Sequence, residues 1–335
     1  MKKVMVTGGA GYKGCVLVPK LLKAGYEVVV YDLLLFGAAG LPDPQLTQGL
    51  TVAEGDIRDT AKYAQAVRGC DAVIHMACIS NDPSFELDPE LSRTINYDCF
   101  EPLVAASKNA SVRRFIYVSS SSVYGVSDAP EVTEEHPLVP LTDYNKYKGM
   151  CEPILLRYQS AEFTTVIVRP ATVCGYSPRM RFDLTVNILT NHAVNRGVIT
   201  VFGGAQKRPN IHIEDVTDLY LQMLGYPADL IAGDIFNAGY ENHTVAQLAQ
   251  LAKAVVESEA PRTEPIRIDT TSTNDNRSYH VSSRKIAEKL GYRPSHSIED
   301  AVRDLCHAFE ANRFPDSMTN EDYVNVKTVK KLHLQ

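Results

Sequence analysis

The chain has 335 residues, 44% of them apolar and 22% charged, with a formal net charge of −6. Those values describe a globular protein of one large domain or two closely joined ones, and they exclude a disordered or fibrous chain. No basic surplus exists to recruit nucleic acid or an anionic membrane, and no apolar run approaches the roughly 18 residues of a membrane span.

The N-terminal MKKVMVTGGAG opens like a secretory leader. Its apolar stretch is only about five residues long before glycines intervene, so no signal peptide is expected. Seven scattered cysteines, with no C-x-x-C pair, point to reduced thiols in a cytoplasmic protein rather than to disulfides or a metal site.

In chain order, strands are expected at Lys3–Thr7, Glu27–Tyr31, Leu50–Ala53, Ala72–Met76, Arg114–Val118 and Thr165–Arg169. Helices are expected between them at 12–24, 60–68, 90–108 and 145–160. The alternation reads as βαβ units, and the nearly continuous apolar runs VMV, VVV, AVIH and FIYV read as strands buried on both faces. Pro19, Pro102 and Pro153 fall inside three of these helices and imply a bend or a later start. Beyond 170 the pattern loosens, with helices expected at 181–195, 215–225, 244–258, 283–290 and 298–312 and strands at 199–201 and 235–237. The fold class is therefore α/β: a doubly wound parallel sheet over 1–175, to which later segments return, and a smaller irregular α+β lobe over 176–315. Residues 316–335 are polar and aperiodic, and they read as a loosely attached tail.

Gly8, Gly11 and Gly14 sit in VTGGAGYKG directly after the first strand. Glycines there permit a tight turn and close approach of backbone to a pyrophosphate at a helix N-terminus. Tyr12 and Lys13 lie inside this turn as further candidates for cofactor contact. For Lys13 a phosphate contact and plain solvation are both open. Asp32 ends the second strand about 20 residues on, where a carboxylate accepts from ribose hydroxyls and repels a 2′-phosphate. Leu33, Leu34, Leu35 and Phe36 supply no cation, which favours NAD over NADP. Asp56 and Ile57 follow the third strand as candidates to flank the adenine.

Tyr144 and Lys148 form Y-x-x-x-K on one face of a helix. An ammonium near a phenol favours phenolate, and phenolate is a base suited to a hydroxyl proton. Upstream, YVSSSSVYG supplies serine hydroxyls at the end of the fifth strand.

Taken together, TGGAGYKG, Asp32, GDIRD, YVSSSSVYG, Tyr144-x-x-x-Lys148, RPATVCG and IHIEDV resemble the extended short-chain dehydrogenases/reductases, and within them the nucleotide-sugar epimerase/dehydratase group. The resemblance spans about residues 3–312. It implies a Rossmann domain that binds NAD, a lobe that takes a nucleoside-diphosphate sugar, and a homodimer formed through helices near 92–108 and 145–160. By position it implies that Ser120 is the catalytic hydroxyl, Tyr144 the base and Lys148 the ribose-holding lysine. Ala77, Asn96 and Ser119 match cofactor-side positions, with Cys78 replacing an alanine. Asn187, Arg208 and Arg277 match diphosphate contacts, and Arg179 and Arg181 are further candidates for the substrate. Where 4,6-dehydratases carry Asp-Glu after the catalytic hydroxyl, this chain has Ser121 and Ser122, which cannot supply an acid–base pair near neutral pH. Cys174 stands where the family often has tyrosine; more room for a sugar and a core filler are both open readings. The implied activity is C4 epimerisation through a 4-keto sugar. A net dehydrogenase or ketoreductase is the alternative, and a non-catalytic NAD sensor is a third reading.

Overall fold

In the computed structural model all residues are described except 128, 261–262, 274–277, 279 and 333–335. The strands are β1 (Lys3–Thr7), β2 (Glu27–Asp32), β3 (Leu50–Glu54), β4 (Ala72–His75), β5 (Arg114–Val118), β6 (Thr164–Pro170), β7 (Thr172–Cys174), β8 (Val198–Phe202), β9 (Lys207–His212), β10 (Asp234–Ala238), β11 (Glu241–Thr244) and β12 (Arg267–Thr271). Seven of them form one parallel sheet in the order β10-β6-β5-β4-β1-β2-β3. Every residue of β4, β5 and β6 is buried, as strands covered on both faces require. The smaller sheets, β11-β9-β7 and β12-β8, carry the irregular lobe. The chain winds outward from β1 to β3 and then returns to β4 on the other side of β1. This reversal opens a crevice at the carboxyl ends of β1 and β4.

The helices are α1 (Gly14–Lys23), α2 (Thr60–Ala66), α3 (Asp82–Phe85), α4 (Pro89–Arg93), α5 (Phe100–Asn109), α6 (Asp143–Arg157), α7 (Thr185–Arg196), α8 (Ile213–Gln222), α9 (Ala228–Ile231), α10 (Val245–Glu259), α11 (Arg284–Leu290), α12 (Ile298–Glu310) and α13 (Asn325–Leu332). Capping boxes at Thr244/Gln247 and Ser297/Asp300 start α10 and α12.

Three expectations need correction. The helix expected over 90–108 is three pieces: α4, a π-helical turn at Thr94–Asp98, and α5. Pro102 then falls in the first turn of α5, where its missing N–H costs nothing. The described part of the expected tail, 316–332, is not loose. Ser317, Asn325 and Thr328 are buried, and the Tyr323 ring packs on Phe182 with centroids 5.3 Å apart. Its polar composition hid this because its anchors are mainly hydrogen bonds. The helix expected from 181 starts later, at Thr185, whereas α1 and α6 run through Pro19 and Pro153.

Beneath the crevice, His75 is buried among Phe100, Phe115 and Tyr117, with centroids 5.5, 5.9 and 6.0 Å away. Thr7 Oγ1 lies 2.9 Å from His75 Nδ1 and accepts from the Met76 and Ala77 amides. Its own proton therefore goes to Nδ1, which keeps the ring neutral. Burial pushes the His75 pKa down to about 3, with Lys148 adding to the effect. The unfolded chain thus binds a proton that the folded one refuses. The stability is complete above the ordinary histidine value and is lost as pH falls from about 6.5 toward 3, by on the order of 1.4 kcal/mol per pH unit. Urea midpoints at pH 7, 6 and 5 should fall for the wild type. They should fall less steeply for His75→Phe; equal slopes would remove His75 as the cause.

Candidate active site

A cavity of about 500 Å³ occupies the crevice. Its floor is the glycine turn between β1 and α1. Gly8 has φ +72°, and a Cβ there would lie 2.8 Å from the Ala77 amide nitrogen; a Cβ on Gly14 would overlap the Gly9 backbone. Side chains are thus excluded where a ligand's phosphates would approach the N-terminus of α1. Asp32 stands at the cavity edge, its carboxylate accepting from the Ala10 amide at 2.9 Å and the Leu34 amide at 2.8 Å. Burial raises its pKa, and those amides oppose the rise. The side-chain-free cradle beside a carboxylate at the end of β2 fits a dinucleotide.

Gly11, Tyr12, Lys13, Asp56, Ile57 and Ala77 all line this cavity. The Tyr12 hydroxyl is committed to the Gly175 carbonyl at 2.7 Å. The Lys13 ammonium lies 5.9 Å from the Tyr220 ring centroid, and burial followed by Lys148 draws its pKa down to about 8. Asp56 is gripped by the Arg58 guanidinium at 2.6 Å. Asn96 is absent from the lining: its amide pins the loop after β4, accepting from Ile79 N at 2.8 Å and donating to Ile79 O at 2.9 Å. Ser119 reaches the lining, but its hydroxyl is spent on Glu152 at 2.7 Å.

The first turns of α6 bring Tyr144 and Lys148 to the same cavity as Ser120, which ends the loop after β5. Thr142 caps α6 and donates to Asp82 Oδ1 at 2.5 Å, so its oxygen receives Nδ2 of Asn145 at 2.8 Å. Asn145 therefore presents Oδ1 to Ser122, and that oxygen only accepts. Ser122 spends its single proton there. In the 2.6 Å contact between Ser120 and Ser122, Ser120 must then be the donor. The Ser120 proton is thus engaged on Ser122, and its oxygen, which already receives the Ser122 amide at 3.2 Å, keeps one lone pair to accept.

Tyr144 is held protonated in this state. Burial raises its pKa well above the ordinary value, the Cys78 thiol and Asp82 add to the rise, and Arg181 opposes it. Lys148 is not among the largest of these influences. Its ammonium donates to the Val118 carbonyl at 2.8 Å and lies 4.8 Å from the Tyr117 centroid.

Among the substrate candidates, Arg179, Arg181 and Arg208 line the cavity. Arg181 is held by both oxygens of Asp183, at 2.9 and 3.0 Å. Arg179 points to the Asp32 end, stacked 3.7 Å from the Phe36 centroid. Asn187 is fully buried and is absent from the lining. Its side chain receives the Gly175 amide and donates to Tyr12 Oη and Arg181 O. Arg277 lies outside the described residues. Cys174 is fully buried and also absent from the lining.

Sequence reasoning missed Phe36, Cys78, Ser80, Asp82 and Asn325 in this cavity. The polar run Ser80-Asn81-Asp82 after β4 was a usable signal, because crevices lie at the carboxyl ends of strands. Nothing near Asn325 in sequence announces it. Among the described residues no cluster of three or more metal-ligating side chains occurs, and no helix is long and apolar enough to cross a membrane.

Residues 4–239 match the family model described as the NAD dependent epimerase/dehydratase family. The chain is 29% identical to a UDP-glucose 4-epimerase of Lactobacillus helveticus over 319 residues, covering 90% of this chain and 94% of that protein. It is also 29% identical to a dTDP-D-glucose 4,6-dehydratase of Mus musculus over 328 residues, with 93% and 89% coverage. Among solved structures, NAD-bound DesIV, a dTDP-glucose 4,6-dehydratase from Streptomyces venezuelae, superposes with a TM-score of 0.81 at 25% identity, covering 93% of this chain and 98% of its own. A family match over most of the chain, on a parallel seven-stranded sheet with a dinucleotide cradle at its switch point, establishes the assignment: the chain belongs to the NAD-dependent epimerase/dehydratase family.

Proposed function

We propose that this chain is a nucleotide-sugar epimerase that inverts C4 through a transient 4-keto sugar. The observation that carries the reading is the state of the serines around Ser120. Ser121 is buried, and Ser122 has given its proton to Asn145, so the turn after Ser120 holds no acid–base pair for eliminating water. What faces the cavity is a hydroxyl oxygen ready to accept and a phenol beside it. Once Tyr144 is deprotonated, its phenolate takes the proton of the sugar hydroxyl, directly or by relay through Ser120, whose oxygen can accept from that hydroxyl and whose own proton then passes to the phenolate. NAD, when bound, supplies the hydride acceptor and a positive charge near the phenol. Arg181 and that charge oppose the phenol's high pKa and favour the phenolate that the step requires.

Arg181, fixed by Asp183, and Arg208 are the donors suited to a sugar diphosphate. Named relatives act on UDP-glucose and dTDP-glucose, which supports a nucleoside-diphosphate hexose as substrate. A homodimer through α5 and α6 belongs to the same reading. These helices pack side by side and leave Glu101, Met150 and Arg157 exposed.

Incubation with UDP-, GDP-, CDP- and dTDP-hexoses, followed by product NMR, tests the reaction. The expected product is the C4 epimer in equilibrium with its substrate. A 4-keto-6-deoxy product would make the protein a dehydratase, which the relatives of that activity at similar identity keep as the second reading.

A further inference from the structure

The family match ends at residue 239, so it offers no account of the C-terminal segment. That segment is anchored along its length. The Phe314 ring packs edge-on against Phe182 at 5.1 Å. Asn191 donates to the Ser317 carbonyl at 3.1 Å and receives the Ser317 hydroxyl at 2.9 Å. The Phe182 amide donates to the Tyr323 carbonyl at 2.9 Å. These contacts deliver the start of α13 to the cavity, where Asn325 and Val326 form part of its wall.

Asn325 is only 3% exposed, and three of its polar atoms are engaged in the cavity wall. Its Oδ1 accepts from Arg179 Nη2 at 2.6 Å, its Nδ2 donates to Ser80 Oγ at 2.8 Å, and its amide donates to Asp183 Oδ2 at 3.2 Å. Arg179 and Arg181 are neighbours with unlike partners. Arg181 grips the Asp183 carboxylate with Nε and Nη2 and donates from Nη1 to Ser80 Oγ at 3.3 Å. Arg179 is buried with a neutral amide on one arm and the Phe36 ring under its plane. A guanidinium drawn out of water without a hydrogen-bonded carboxylate is under-compensated, and burial lowers its pKa to about 10. It sits at the Asp32 end of the cavity, and Phe36 follows the strand that ends in Asp32. An anionic ligand there would complete its partners.

We propose that Asn325 is a cofactor-positioning residue: it holds Arg179 flat across Phe36 so that the guanidinium grips the adenosine-diphosphate half of NAD, and the segment 317–332 acts as a clamp that slows cofactor release. The proposal deepens the epimerase reading, in which the reduced cofactor must stay bound through the keto stage. Its test does not depend on the reaction.

NADH, ADP-ribose and nicotinamide mononucleotide are the probes, used on the full chain. Asn325→Ala should speed NADH release, chased with excess ADP-ribose, by about tenfold, the effect of one well-formed charged hydrogen bond. ADP-ribose affinity should fall by a similar factor, whereas affinity for nicotinamide mononucleotide should not move. Arg179→Ala should do the same, and the double variant should be no worse than Arg179→Ala alone, because Asn325 acts through Arg179. If Asn325→Ala does not fold, Arg179→Lys, which keeps charge but loses the fork, carries the same expectation. NADH release within about twofold of wild type in a folded variant, additive effects, or equal loss of the mononucleotide would overturn the clamp. If the sugar panel shows net oxidation while Asn325→Ala still speeds NADH release, the clamp stands and the epimerase reading falls.

Discussion

Tyr144→Phe is expected to lower turnover by roughly 10²–10⁴-fold, the usual cost of removing a general acid–base group. Thermal stability and NAD affinity should stay close to wild type. Tyr144 lines the cavity together with Ser120, and in the proposed reaction its oxygen accepts the proton while its ring supplies packing. The Phe variant keeps the ring and removes only the acceptor. Steady-state rates on whichever sugar the panel identifies, set beside NAD titration, check this. Turnover within a few-fold of wild type would mean that another group removes the proton.

The second large effect is on stability. Glu152 of α6 and Arg169 of β6 form an ion pair at 2.5 Å, with side chains only 2% and 3% exposed. The pair is the hub of a buried network. Glu152 also receives the Ser119 hydroxyl, and Arg169 donates to the Tyr124 hydroxyl at 2.6 Å, which in turn donates to Asn237 at 2.8 Å. It thereby ties α6 to the sheet and to β10. Removing one partner leaves the other as an uncompensated buried charge, at a cost of roughly 3–5 kcal/mol. Glu152→Gln should lose about that much in urea unfolding. Glu152→Leu combined with Arg169→Met should lose less than Glu152→Gln, because no lone charge remains. A single variant within about 1 kcal/mol of wild type would show that water reaches the pair.

How much of this was legible in the sequence follows from the range of each interaction. Strands β1, β2, β4, β5 and β6 were placed to within a residue or so because burial on both faces writes a nearly unbroken apolar run, and β3, half-exposed at the sheet edge, was placed by the βαβ alternation. The glycine turn, Asp32 and Tyr144-x-x-x-Lys148 were legible because their spacing is the geometry. The short strands β7, β9, β11 and β12 carry no comparable signature; β11 and β12 are largely half-buried or exposed. The break between α4 and α5 was hidden because its cause is partly tertiary: Asn96 in the π-helical turn is held by the Ile79 backbone. Arg179 was read as a substrate contact because it follows β6. Its actual place beside Phe36 and Asn325 depends on a partner 146 residues away. For the same reason Asn187 looked like a phosphate ligand, whereas its amide holds Tyr12 and the Gly175 loop together.

In the proposed epimerase, oxidation and reduction are two halves of one closed cycle on one bound sugar. The direct measurement is turnover of a nucleotide sugar deuterated at C4 by protein carrying only its own NAD, in the presence of excess unlabelled external NADH. A closed cycle needs no added NAD, leaves the deuterium on the product epimer, and puts no label into the external pool. Turnover that stops after one equivalent unless NAD is supplied, with absorbance rising at the reduced-nicotinamide band, would contradict it and make the protein a net oxidoreductase.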